Sequence, residues 1–275
     1  MKILFCTKND IFGALILNWI LPRAASHDMT VLLSNKTRPV EMTVNELKLE
    51  KFLERDFPLE QIFPLLDTLK LHGECLTMQA LTQRFEVPIR IVEQMNDPAT
   101  EQWLRDWQPD IIVSARFSLI FNAPILAIPR YGAYNLHPGA LPEFAGLFSP
   151  MRALMAGKSQ IACTLHQMDT SIDTGPVYSI SYLPSEPSKS VFWHIEKLYL
   201  LGLASLLVLF DDLQAGKTPQ LQAQNRADYR YFSLPDQAEF AELQGLGLSL
   251  VCFDAYQAML ARFLPPLTGL SYPRN

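Results

Sequence analysis

The stretch KILFCTKNDIFGALILNWILPRAASHDMTVLLSNK, residues 2–36, decides the fold class. Lys2 to Cys6 is a short apolar run ending in the polar turn Thr7 to Asp10, which reads as an opening strand. Phe12 to Ala24 offers a helix. Met29 to Leu33 is a second strand, stopped by Ser34-Asn35-Lys36. Strand, helix, strand at this spacing is a βαβ unit, so an α/β fold with a mostly parallel twisted sheet and flanking helices is expected. The first turn carries no GxGxxG, and a dinucleotide cofactor has no support.

Outward from this unit the pattern changes between Arg38 and Glu86. Thr43-Val44-Asn45-Glu46 reads as a capping box opening a charged helix to about Arg55. Pro58 and Pro64 interrupt, and Leu66 to Phe85 is again helical in composition. We read the stretch as an excursion from the sheet, a lid or an oligomer contact, with the acids from Glu41 to Glu60 on a solvated face. A homodimer is among the expectations.

Regular alternation then resumes. Pro88 to Val92 is a strand, and Asp97-Pro98 supplies an N-cap and first-turn proline for a helix to Trp107. Ile111 to Ser114 suits a central parallel strand. Arg116 to Leu126 is a loop and helix, and Gly132 to Leu136 is a strand with Asn135 near its end. Ligands of open α/β sheets collect at the carboxyl ends of strands. Gln160 to Met168 and Val177 to Tyr182 are later strands. A long helix capped by Ser188 or Ser190 runs to Ala215, where Gly216 stops it.

Composition narrows the class. A net charge of −5 gives no basic footprint, so nucleic acid is not an expected partner. Four scattered cysteines form neither a metal-ligand spacing nor a disulfide framework, which points to a reducing, cytoplasmic setting. No membrane segment is expected. Lys8-Asn9-Asp10 and Asn18 break the first apolar run, and Leu198 to Phe210 is too short to span a bilayer.

The chemistry concentrates in Tyr134-Asn135-Leu136-His137-Pro138-Gly139-Ala140-Leu141-Pro142-Glu143-Phe144-Ala145-Gly146. Asn135 and His137 are two apart on a strand and share a face, which sets an amide donor beside an imidazole. Acyl transfer needs such a pair, because preorganised donors stabilise the oxyanion of a tetrahedral intermediate. The polar loop Met168 to Gly175 could deliver Asp173 to His137, orienting the ring and favouring its charged form.

NxHP, then LPxxxG, then Asp173-Thr174-Gly175 thirty-six residues after His137, resembles the folate-dependent formyltransferase family from about Pro109 to Leu213. That family includes glycinamide ribonucleotide, methionyl-tRNA and sugar N-formyltransferases and the formyltetrahydrofolate deformylases. The resemblance implies the family's Rossmann-like fold variant and 10-formyltetrahydrofolate as co-substrate, with no metal. It gives Asn135 the formyl oxygen, His137 the acid and electrostatic role, and Asp173 the alignment of His137. It implies a pterin slot between Arg116, Phe117, Ser118, Leu119 and Ile120 on one side and Met168, Asp169 and Ile172 on the other. A catalytic domain over residues 1–222, with the excursion at 38–86 inserted, and a small extension over 223–275 are expected.

Departures from the family pattern steer the acceptor. Gly139 stands where serine is frequent, and Ala145 where a basic residue is, which argues against a phosphate-bearing or tRNA acceptor. A tRNA enzyme of the family would carry a C-terminal β-domain, whereas the residues after Asn225 hold four Arg against five Asp and Glu. The expected reaction is formyl transfer to the amine of a small metabolite, an amino sugar on a nucleotide carrier or a modified amino acid. A deformylase shares the triad but usually has an N-terminal regulatory domain, whereas this sequence opens on a sheet strand. A non-catalytic folate-binding protein is the third reading. Beyond the triad, His166 reads as pocket-lining or structural, and His194 as solvent-facing or capping. Trp103 and Trp107 read as core. Tyr229 to Phe232 either closes over an acceptor or packs on the sheet as an extended tail.

Overall fold

Alternation along β1 (Lys2–Lys8) sorts side chains into two layers. In the computed structural model, which describes residues 1–266, Ile3 and Phe5 pack on the side of helix α1 (Ile11–Arg23). Leu4 and Cys6 pack on the opposite side with Leu104 and Ile125. The β1–α1–β2 unit forms as read, with β2 at Asp28–Ser34. Asp10 caps α1 by accepting from Gly13 N at 2.8 Å. Asn18, polar within an apolar helix, clamps a neighbouring loop: its Nδ2 donates to Leu76 O and its Oδ1 accepts from Leu76 N, both at 2.8 Å.

The remaining sheet strands are β3 (Ile89–Val92), β4 (Ile111–Ala115), β5 (Ala133–His137), β7 (Gln160–Gln167) and β8 (Val177–Pro184). A two-residue strand β6 (Ala145–Gly146) stands apart from them. The sheet order is β3-β2-β1-β4-β5-β7-β8. The first five are parallel, and β7 and β8 run antiparallel at one side. Register pairs Ser114 with Asn135 and Asn135 with His166, which brings three polar residues into one row across three strands.

The excursion differs from the reading of its sequence. The helix begins at Asn45 after Val44, and Thr43 Oγ1 donates to Val40 O rather than capping. It does not stop at Pro58 or Pro64. Helices α2 (Asn45–Lys51) and α3 (Phe63–Leu69) are joined through Phe52–Asp56 and Pro58–Ile62, two π-helical stretches. There Phe57 N bonds Phe52 O and Phe63 N bonds Pro58 O, five residues back. Proline lacks the N–H and clashes with the carbonyl four residues earlier, and the wider turn relieves that clash. The chain breaks instead at Lys70, in the left-handed region (φ 54°), so Leu66 to Phe85 is two helices, the second being α4 (Met78–Phe85).

Helices α5 (Pro98–Trp107), α6 (Ala123–Leu126) and α7 (Ser149–Met155) complete the layers together with α8 (Val191–Gln214). Helix α8, capped by Ser190, is 24 residues, longer than its hydrocarbon core from Leu198 to Phe210. By length and composition alone it could cross a membrane, yet Leu198, Leu203, Leu206 and Leu209 are fully buried in the main core. Each contributes roughly 1.5–3 kcal/mol by leaving water. His194 is also buried, against the solvent-facing reading, and accepts from Glu186 N through Nε2.

Beyond α8 the chain returns to the site. Strand β9 (Tyr231–Phe232) pairs in parallel with β6. Helices α9 (Gln237–Gly245) and α10 (Phe253–Ala261) then bury Phe240, Tyr256 and Phe263 in the same core as the excursion. Tyr256 Oη donates to Leu53 O, and Gly73 N donates to Phe263 O. The extension expected over 223–275 is described to residue 266, and its remainder lies outside the described residues.

Candidate active site

Strand β5 ends in His137 and presents Asn135 one pleat earlier. The loop after β7 carries Asp173 to the same place in the left-handed region (φ 55°), a conformation that aspartate tolerates better than most residues. Gly175 lets that loop return, since a Cβ there would lie 1.9 Å from Gln167 O. Asp173 Oδ2 stands 3.4 Å from His137 Nδ1 and accepts from Gly146 N at 2.8 Å. Its Oδ1 stands 3.4 Å from Asn135 Nδ2.

His137 is buried, and its Nε2 donates to Phe144 O at 2.6 Å with Ser149 Oγ 3.3 Å away. Gly139 makes this possible. A Cβ there would meet Phe144 O at 2.5 Å and His137 Nε2 at 2.6 Å. The glycine that departs from the family's usual serine is therefore required by this packing. Burial alone would push the Asp173 carboxyl up. It is outweighed by the charge of His137, the hydrogen bond and charge of His166, and the Gly146 N–H, which hold Asp173 well below the usual carboxylate range.

His166 is the member that sequence reasoning left undecided. Its Nε2 lies 3.2 Å from Asn135 Nδ2 and 3.5 Å from Asp173 Oδ1, and its Nδ1 contacts Gln167 O at 3.0 Å. On the same face of β7, the Thr164 hydroxyl donates to Gly139 O at 2.6 Å.

These groups open on a cavity of about 540 Å³. Arg116, Phe117, Ser118, Leu119 and Ile120 line one side, and Met168, Asp169 and Ile172 line another. Within that set the roles diverge. Ile120 and Ile172 are exposed apolar surface, whereas Ser118 N and Oγ are bonded to Ser34 Oγ. Asp169 holds its own loop, accepting from Ser171 N and Thr174 Oγ1. Arg116 turns its guanidinium to Asp10 and Glu54. Tyr231 also lines the cavity and Tyr229 Oη donates to Ile172 O, so the Tyr229 to Phe232 segment straps the site through β6 rather than lying along the main sheet.

Glu54 corrects the solvated-face reading of the excursion, for it is fully buried and ion-paired. Its counter-charges, Lys8 and Arg116, lie far away in the chain, so no local signal marked it. Among the described residues no cluster of three or more metal-ligating side chains occurs.

An amide, an imidazole and a carboxylate gathered at a strand end can stabilise an oxyanion and move a proton. Residues 76–191 match the formyl transferase family. It is similar to the methionyl-tRNA formyltransferase of Stenotrophomonas maltophilia (strain R551-3), 34% identical over 153 residues, 56% of this chain and 50% of that one. The chain thus spans about half the length of the curated relatives it matches.

The fold resembles a sugar N-formyltransferase from Shewanella sp FDAARGOS_354, with a TM-score of 0.57 and 16% identity, covering 95% of this chain and 87% of that one. It also resembles the N-formyltransferase from Helicobacter canadensis in complex with folinic acid and dTDP-3-aminofucose. That match has a TM-score of 0.53 and 16% identity, covering 85% and 71% of the two chains.

Proposed function

We propose that the chain transfers a formyl group from 10-formyltetrahydrofolate to the amine of a small molecule. The observation that carries this reading is the convergence of Asn135, His137 and Asp173 on one buried point at the edge of the cavity. The volume suits a small-molecule site, and Phe117, Leu119, Ile120, Met168 and Ile172 give the donor's pterin an apolar slot. The acceptor is a nucleotide-linked amino sugar or a modified amino acid. A reducing, cytoplasmic setting is part of the proposal, supported by four free thiols, three of them buried.

The chemistry follows from the contacts. The Asn135 amide faces His166 at 3.2 Å and Asp173 at 3.4 Å, and the longer contact is the one a formyl oxygen displaces. Asn135 then stabilises the oxyanion as the neutral amine adds to the formyl carbon. Asp173, ionised, orients the His137 ring. His137 carries the proton lost by the amine toward the departing folate nitrogen. A new C–N bond forms to the acceptor, the C–N bond to the folate breaks, and tetrahydrofolate leaves.

The test mixes the protein with 10-formyltetrahydrofolate, with and without a panel of amino sugars and amino acids, and follows tetrahydrofolate and formate. Tetrahydrofolate released only with an acceptor, and lost in His137→Ala, is the expected result. Formate released without any acceptor would make the chain a deformylase. Donor bound without turnover across the panel would make it a folate-binding protein.

A further inference from the structure

The cavity has a second wall, from the excursion, that formyl transfer as described does not use. Arg38, Glu41, Glu50, Lys51 and Glu54 lie on it. Behind it sits a buried charge cluster. Arg116 Nε contacts Asp10 Oδ2 at 2.8 Å and its Nη2 contacts Glu54. Lys8 Nζ stands 3.6 Å from Glu54 Oε2 and 3.8 Å from Asp10 Oδ2. Two cations therefore already face two fully buried carboxylates.

Glu50 adds a third carboxylate, about one helical turn before Glu54 and on the cavity side. Burial first, then the neighbouring Glu54 charge, hold its carboxyl well above the usual range, against the pull of Lys8 and Arg116. Glu54 Oε1 is buried and has no hydrogen-bond partner among the described residues. With Glu50 holding its proton the cluster is balanced, and an ammonium arriving from the cavity takes that proton's place.

The basic side chains on the cavity lead to the same conclusion from the other sign. Lys8 and Arg116 are paired as above, and Lys51 Nζ contacts Asp56 Oδ2 at 2.5 Å. Arg38 lines the cavity and makes no ion pair among the described residues. One free guanidinium is poor provision for the two phosphates of a nucleotide sugar. One guanidinium together with one acid that yields its proton to a cation matches the two charges of a free amino acid.

We propose that the acceptor is a free α-amino acid bearing a second amine on its side chain, with its α-ammonium on Glu50 and its α-carboxylate on Arg38. This rests on the formyl-transfer reading and names the acceptor class within it. The side-chain amine reaches Asn135 and His137, its nitrogen bonds the formyl carbon, the bond to the folate nitrogen breaks, and the amine's proton goes to that nitrogen.

The test titrates L-ornithine, L-lysine and a dTDP-linked amino sugar into the full chain by calorimetry. The donor site is first saturated with 5-formyltetrahydrofolate, which does not transfer its formyl group. The diamino acids are expected to bind. Glu50→Gln and Arg38→Ala, checked for folding by circular dichroism, should each weaken them by about tenfold or more. No binding of either diamino acid overturns the proposal, as does binding indifferent to both substitutions. Tetrahydrofolate release that depends on His137 and occurs only with the amino sugar also overturns it, while the formyl-transfer reading survives. Release indifferent to His137 removes the formyl-transfer reading instead, and the calorimetry still decides whether Glu50 and Arg38 hold a diamino acid.

Discussion

The carboxyl ends of β4 and β5 and the helical excursion face each other across one cavity, and they hold polar groups by different means. On the strand side, register does the positioning. Ser114, Asn135 and His166 lie in one row because their strands pair that way, and Asp173 closes the cluster with hydrogen bonds. On the excursion side, charge does it. Lys8, Asp10, Glu54 and Arg116 come from three separate segments and balance each other out of water. A register is rigid and tolerates loss of one side chain, whereas a buried ion cluster fails when one member goes.

His137→Ala should therefore remove activity and leave the fold. We expect kcat/KM to fall by about 10²–10⁴, or roughly 3–5 kcal/mol, with the urea midpoint moving less than it does for Glu54→Ala. A midpoint that fell as far would erase the contrast between the walls. Glu54→Ala should do the reverse. It leaves Arg116 and Lys8 short of an anion and should cost about 3–5 kcal/mol of unfolding free energy by urea titration. A cost under about 1 kcal/mol would mean that water reaches the cluster.

Gly139→Ala tests the strand side where it is tightest. The added methyl must displace the Phe144 carbonyl or the His137 ring, so about 1–3 kcal/mol of stability and most of the turnover should go together. Retention of both would show that the turn has room. Smallest is the response to pH. Asp173, held low, stabilises the fold at all pH above its unfolded value and loses that contribution only on acidification. Glu50, held high, does the opposite. Its contribution is full below its unfolded value near 4.3 and is lost as pH rises toward the folded one. Glu50→Gln should thus raise the Tm at pH 8 by a few degrees, about 2–4 °C per kcal/mol, and change it little at pH 4. An equal shift at both would detach Glu50 from the cluster.

The contrast also sets what the sequence made legible. Strands announce themselves by alternation and by their stops, so the βαβ opening and the strand bearing Asn135 and His137 could be read directly. The helix capped by Asp97 was equally plain, for Asp97 does accept from Ala99 and Thr100. The excursion was not legible, for two physical reasons. Prolines that normally end helices are absorbed at Pro58 and Pro64 by widened turns, which composition does not signal. Glu54 looked solvated because its counter-charges, Lys8 and Arg116, lie far away in the chain. His166 stayed undecided for a related reason: its partners Asn135 and Asp173 come from β5 and a loop, and only the sheet order brings them to it.

Hydrogen bonds in the two π-helical stretches reach back five residues, where those of an α-helix reach back four. A chain that loses a single residue there can relax to ordinary α geometry without breaking, but everything past the deletion rotates by about 100°. Glu50 lies before both stretches and Glu54 inside the first, so such a change turns one acid relative to the other. A one-residue deletion there therefore re-aims one wall of the cavity while the strands opposite stay untouched.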